Sequence, residues 1–203
     1  LLFTPYYHYE LHKVLIKQVF GGTSDNTLSQ IRKAFTIDFD QKYLADEITD
    51  FPYEEILKQI RKDTAINADF IEELLNTQKD SKYSFSILSL IYPYLDYKNN
   101  NFHKDHLHPE SKFSDLSDSD KTKYSWGQYN SICNLQMLDA NENMSKNGKS
   151  LNEWVEKEVK TKDRTTFLEN HLIPDVDLEL NNFDNFYTSR KKILTIKLTD
   201  LLS

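Results

Sequence analysis

Apolar residues recur at helical spacing through the first half of the chain. Residues 12–20 form a short apolar-periodic run closed by Gly21-Gly22, a signal for the end of a helix. Ser24-Asp25-Asn26 precedes Leu28, Ile31 and Phe35, which are spaced to share one helix face. The segment 53–60 follows Pro52 and sets Ile56 and Ile60 four residues apart. Residues 67–75 and 83–94 predict two further helices. These stripes predict a helical scaffold for the first half of the chain.

The pattern breaks near Asn99-Asn100-Asn101. A short segment dense in His and Asp follows, Phe102-His103-Lys104-Asp105-His106-Leu107-His108-Pro109, in which Pro109 fits a strand ending in a loop. Residues 114–120 predict a polar loop. Ile132-Cys133-Asn134-Leu135-Gln136-Met137-Leu138 predicts a strand that Asn134 begins, and Asp139 can cap a helix running through Asn143 and Lys146. Ser150-Leu151-Asn152-Glu153 is a capping box that opens a helix with Leu151, Trp154 and Val155 on its apolar face. Residues 182–202 predict a long terminal helix carrying Arg190-Lys191-Lys192.

Composition narrows the class. Four glycines and five prolines in 203 residues favour helices over a turn-rich sandwich, so the fold class expected is α+β and mostly helical. A single cysteine, Cys133, excludes an intramolecular disulfide framework and a zinc site of several cysteines, and fits a cytoplasmic setting. The longest apolar stretch, residues 83–97, is broken by Ser84, Ser86, Ser89, Pro93 and Asp96, so no membrane partner is expected. The opening Leu1-Leu2-Phe3-Thr4-Pro5 lacks the features of a secretory leader and reads as the interior of a longer protein. The net charge of -7 argues against a general nucleic-acid binder, so any such contact must use local positive charge.

Candidate chemistry concentrates in the His- and Asp-rich segment. Cleaving a phosphodiester needs a base that deprotonates water near neutral pH, and histidine suits that task. It also needs charge stabilisation at the phosphate and the leaving oxygen, which a divalent cation on hard ligands supplies. Asp105 and His106 offer a ligand and a base side by side. Neighbouring side chains on a strand point to opposite faces, so the pair can cooperate only if the chain twists or ends there. Asn143, brought back over that segment by the hairpin, is a second ligand or a group ordering a metal-bound water. The Asn134 amide can hold the loop or the His106 ring. Lys146 can point the same way as Asn143 and meet a phosphate, and Lys149 extends the substrate-binding patch.

Four runs carry a family resemblance: Lys104-Asp105-His106-Leu107-His108-Pro109, Asn134-Leu135-Gln136-Met137-Leu138, Glu142-Asn143-Met144-Ser145-Lys146 and Leu151-Asn152-Glu153-Trp154. In that order and spacing they resemble the HNH, or His-Me finger, nucleases. They are similar in particular to the C-terminal nuclease domain of GmrSD-type, modification-dependent (type IV) restriction endonucleases and their phage-defence relatives. Flanking segments share the likeness: Val19-Phe20-Gly21-Gly22-Thr23-Ser24-Asp25, His171-Leu172-Ile173-Pro174 and the run from Asn182-Phe183-Asp184 to Ser189-Arg190-Lys191.

The resemblance implies a ββα-metal core over residues 99–160, between an N-terminal helical region (1–98) and a C-terminal helical segment (161–203). It implies metal ligation by Asp105 and Asn143, the latter a position that is histidine in many such enzymes. It implies His106 as general base, Asn134 as the asparagine that orders the site, and Mg²⁺ or Mn²⁺ as the ion. DNA, including modified DNA, is the implied substrate. An N-terminal nucleotide-hydrolysing domain is an implied partner, and a homo-oligomer is admitted. The alternative expectation is a catalytically degenerate DNA- or partner-binding module of the same restriction system. A third is an RNA nuclease, since nothing in the sequence reads a 2′-hydroxyl.

Other residues have plainer readings. His103 and His108 are read as surface or supporting histidines, with a zinc site of His103, Asp105 and His108 as the competing possibility. His8, His12 and His171 are read as structural, and Cys133, Trp126 and Trp154 as core. Arg190-Lys191-Lys192 is read as a solvated helix face, with a DNA-backbone contact as the alternative.

Overall fold

The computed structural model describes residues 24–35, 52–60 and 66–202. The expected helix at 12–20, its Gly21-Gly22 stop, His8 and His12 lie outside the described residues. The chain forms two compact units, Leu1–Ala65 and Ile66–Ser203. In the first, α1 (Ser24–Lys33) and α2 (Tyr53–Gln59) pack through Ile56 and Ile60 against Ile31, Ala34 and Phe35, as the spacing predicts. Leu28 is half exposed, so the stripe on α1 is narrower than its sequence suggests.

The second unit opens with α3 (Ala68–Leu75), capped by the Asn67 side chain, and α4 (Ser84–Ile91). Then come β1 (Phe102–His106), a 3₁₀ turn (Glu110–Asp115), α5 (Asp118–Lys123) and α6 (Trp126–Tyr129). A second 3₁₀ turn (Ile132–Asn134) leads into β2 (Leu135–Asp139) and α7 (Ala140–Lys146). The chain ends with α8 (Leu151–Glu158), α9 (Arg164–His171), a 3₁₀ turn (Leu180–Asn182) and α10 (Phe183–Leu202). The molecule is mostly helical, with one small antiparallel sheet among the described residues. The helices of 66–98 pack within this second unit, so the compact boundary falls at 65/66 rather than at 98/99.

Several expectations hold. Asp139 caps α7 by accepting from the Asn141 and Glu142 amides, and Ser150 and Glu153 form the capping box of α8. Others need correction. The polar loop expected at 114–120 is helical in large part, because the Ser117 hydroxyl accepts from the Asp120 amide and starts α5. Asn134 closes a 3₁₀ turn just ahead of β2 rather than beginning the strand. Trp126 is 38% exposed, not core, whereas Trp154 and Cys133 are fully buried.

The sheet explains what the helices cover. β1 and β2 pair in the register Lys104↔Met137, Asp105↔Gln136 and His106↔Leu135. Cross-strand partners share a face, so Asp105 and Gln136 lie on one side, with Lys104, His106 and their partners on the other. Lys146 of α7 bonds to Asp105, and Lys104 reaches Ser84 at the start of α4. One helix therefore covers each face. α10 packs on α3 and α4, burying Phe183, Phe186, Tyr187, Leu194, Leu198 and Leu202. Among the described residues no helix is long and apolar enough to cross a membrane.

Candidate functional site

β1 ends at His106, and the site forms around that end. The next amide, Leu107 N–H, donates to the Asn134 carbonyl at 2.8 Å. The Asn134 side chain then clamps the following loop. Its Oδ1 accepts from His108 N–H (2.9 Å), and its Nδ2 donates to the His108 and Tyr129 carbonyls (3.1 Å each). Of the two roles open to Asn134, holding the loop is the one these bonds describe. The ring of His106 is held by a different residue: its Nε2–H donates to Asn130 Oδ1 at 2.8 Å.

That bond determines the tautomer, because an amide oxygen can only accept. Nδ1 of His106 is then left with its lone pair. Among the described residues it takes no hydrogen bond, and it is not a sealed atom like His108 Nε2. Trp126 and Tyr129 flank the imidazole with ring centroids 6.2 and 6.4 Å away. Burial holds the ring below the usual imidazole range, the bond to Asn130 opposes this, and the charge of Lys79 adds to the depression. His106 is therefore a neutral imidazole at neutral pH.

On the other face, Asp105 Oδ2 meets Lys146 Nζ at 2.9 Å and accepts from Gln136 Nε2 at 3.4 Å. Lys146 was expected to face a phosphate. Instead it is 2% exposed, and its ammonium is used internally, on Asp105 and on the His106 carbonyl at 2.6 Å. Burial lowers its pKa, and Asp105 opposes the drop. Lys149 bonds to the Ser145 carbonyl at 3.0 Å and is half-buried. Asn143 lies half-buried on α7, which packs against both strands, and its amide takes no hydrogen bond among the described residues.

Sequence reasoning missed Asn130, Gln136 and Lys79. Lys79 is half-buried, and its ammonium makes no hydrogen bond or ion pair among the described residues. Its backbone N–H donates to the Asn130 carbonyl at 2.9 Å, so one asparagine ties both Lys79 and His106. The charge of Lys79 acts on His106 and on Lys146, which stand on opposite sides of the strand end. No local signal marks these residues in the sequence, since Lys79 is 27 residues from His106 and joins it only through the fold.

The other histidines separate cleanly. His103 is exposed, while His108 is buried against Phe183 and Phe186, so a zinc trio with Asp105 is not assembled. Among the described residues no three His, Cys, Asp or Glu side chains converge as a metal site. The two expected ligands, Asp105 and Asn143, lie on β1 and on α7, which packs against it. The carboxylate keeps one-quarter exposure and an uncommitted Oδ1, and the amide oxygen is unengaged. Carboxylate and amide oxygens are the ligand types that would suit Mg²⁺ or Mn²⁺. Arg190, expected on a solvated face, is fully buried and donates to the carbonyls of Leu135, His171 and Leu172 and to the Tyr92 hydroxyl.

No protein-family model matches the chain, and no curated protein matches it.

Proposed function

We propose that this chain is a metal-dependent phosphodiesterase of the HNH type, acting on DNA, with its centre at the end of β1. The observation that carries this reading is the state of His106. It is neutral, anchored through Nε2–H on Asn130, and keeps an unpartnered Nδ1 at the end of the strand whose opposite face carries Asp105. The β1–β2–α7 arrangement, with Asn143 on the helix, supports a ββα-metal core. The net charge of -7 makes local cations matter, and Lys79 is an unpaired one at this strand end.

In this reading His106 Nδ1 takes a proton from the attacking water while Nε2–H stays on Asn130. The water oxygen bonds to phosphorus, the bond to the leaving oxygen breaks, and that oxygen is protonated from solvent. Asp105 and Asn143 would hold a divalent cation, which supplies stabilisation of the charge on phosphate and leaving oxygen. Lys79 draws the phosphate in. Lys146 orients the Asp105 carboxylate rather than touching substrate. A role in restriction or phage defence, and a preference for modified DNA, rest on the sequence resemblance alone.

The test is nicking of supercoiled plasmid in Mg²⁺ or Mn²⁺ beside His106→Ala. Metal-dependent nicking that falls at least about 100-fold in the variant is the expected result. Equal cutting by both proteins removes His106 from the mechanism. If neither protein nicks plain or modified DNA in either metal, the catalytic reading fails and the non-catalytic binding module takes its place.

A further inference from the structure

Beside β2 lies a cleft of about 420 Å³ that the proposed cleavage does not use; Tyr94, Met137, Glu142, Phe167 and His171 are among its walls. Its volume falls within the roughly 300–1,000 Å³ of small-ligand pockets. Gln136, fully buried, connects it to the candidate site. Its Nε2 donates to Asp105 Oδ2 at 3.4 Å, which turns its Oε1 toward His171 Nδ1 at 3.1 Å. Only an N–H can satisfy that oxygen, so Nδ1 carries the ring proton. Burial depresses the His171 pKa to about 4, which leaves the ring neutral. Its Nε2 is therefore an acceptor.

That nitrogen stands 3.7 Å from Glu142 Oε1, a second acceptor. Among the described residues neither atom has another hydrogen-bond partner. Two acceptors this close match a group with two N–H bonds. The surrounding walls are partly aromatic, with Tyr94 more than half exposed. The one lysine in the lining, Lys162, is paired with Glu158 at 2.8 Å, so the cleft offers no free cation to a phosphate. A flat ring bearing an amino group fits; a phosphate does not.

We propose that this cleft binds an amino-bearing nucleobase, whose exocyclic NH₂ gives one hydrogen to Glu142 and the other to His171 Nε2. Adenine, cytosine and guanine carry that group, and thymine and uracil do not. The choice of a nucleobase rests on the nuclease reading, and Glu142 directly precedes Asn143 on α7, where the candidate metal site begins. The base is supplied either as a free nucleoside or within a strand lying across the site.

The test is a titration of the ¹⁵N-labelled chain in metal-free buffer, followed by NMR. Deoxycytidine, deoxyadenosine and deoxyguanosine are compared with thymidine, and a cytosine-containing single strand with an all-thymine one. Saturable shifts at Glu142, Asn170 and His171 are expected for the amino-bearing bases, with thymidine weaker by about tenfold. Glu142→Ala is expected to erase that difference, and Tyr94→Ala to weaken all bases alike. Shifts from the cytosine strand but not from nucleosides place the base within a strand. No saturable shift from any probe, or thymidine equal to the rest, overturns the proposal. The titration involves neither metal nor cleavage. Loss of nicking with retained binding therefore overturns only the nuclease reading, and nicking without binding overturns only the cleft.

Discussion

The imidazole of His106 is held by a single side-chain hydrogen bond, and that bond also sets its chemistry. Asn130 favours the protonated ring, opposing the depression caused by burial. Asn130→Ala is expected to lower kcat by about 10–100-fold, as loss of supporting partners does around metal sites. It is also expected to move the acidic limb of the pH–rate profile to lower pH, because the interaction that raises the His106 pKa is gone. A variant that loses rate with no movement of that limb would reduce Asn130 to a packing residue. At this scale the sequence was partly legible. Asp105 and His106 stand out by type and adjacency. Asn130 and Lys79 do not, because their relation to His106 depends on a chain fold that brings residues 79, 106 and 130 together. Lys146 was legible as a site residue, but its direction was not: a lysine in an exposed turn and one buried on a carboxylate look alike in sequence.

α7 carries Asn143 and Lys146 to the sheet, and its start depends on Asp139. The Asp139 carboxylate accepts from two amides at 2.8 Å each. Asp139→Ala is expected to cost about 1 kcal/mol in urea unfolding, a usual loss for a helix cap. The same variant is expected to weaken metal-dependent nicking more than it weakens the fold, since α7 positions one of the two candidate ligands. Unchanged unfolding would mean that packing against β1 and β2, not the cap, starts the helix. Caps at Asp139 and Ser150 were readable because they are local: a short polar side chain serves amides two or three residues ahead. The helix α5 was not read, since Asp118 to Lys123 has no apolar stripe to mark it.

Besides His106, two histidines of the second unit, His108 and His171, are buried as neutral rings. Burial depresses His108 to about 3 and His171 to about 4, against an ordinary value near 6.5. Below that ordinary value the unfolded chain binds protons that the folded chain refuses. Stability therefore rises with pH across the window from about 3 to 6.5 and is lost on acidification. Moving from pH 7 to pH 5 is expected to cost roughly 3–4 kcal/mol from these two rings, read as a fall in the urea midpoint. His108 Nε2 has no partner, so His108→Leu keeps the volume, removes a buried polar atom and is expected to flatten about half of that slope. A midpoint independent of pH over this window would mean that both rings take up protons in the folded state.

Periodicity, caps and residue type were enough to determine the helical character of this chain, its short paired strands and the placing of the candidate chemistry at Asp105 and His106. Those features are local, encoded over a few turns or a few residues. Only the tertiary structure decided which lysine is spent on Asp105 and which is left for a ligand. Only it showed that Arg190 of a basic run serves as a buried staple for β2 and the end of α9, with Tyr92 as a further partner. The physical reason is desolvation. A charge taken from water must find partners, and those partners come from segments far apart in sequence whose meeting is settled by packing.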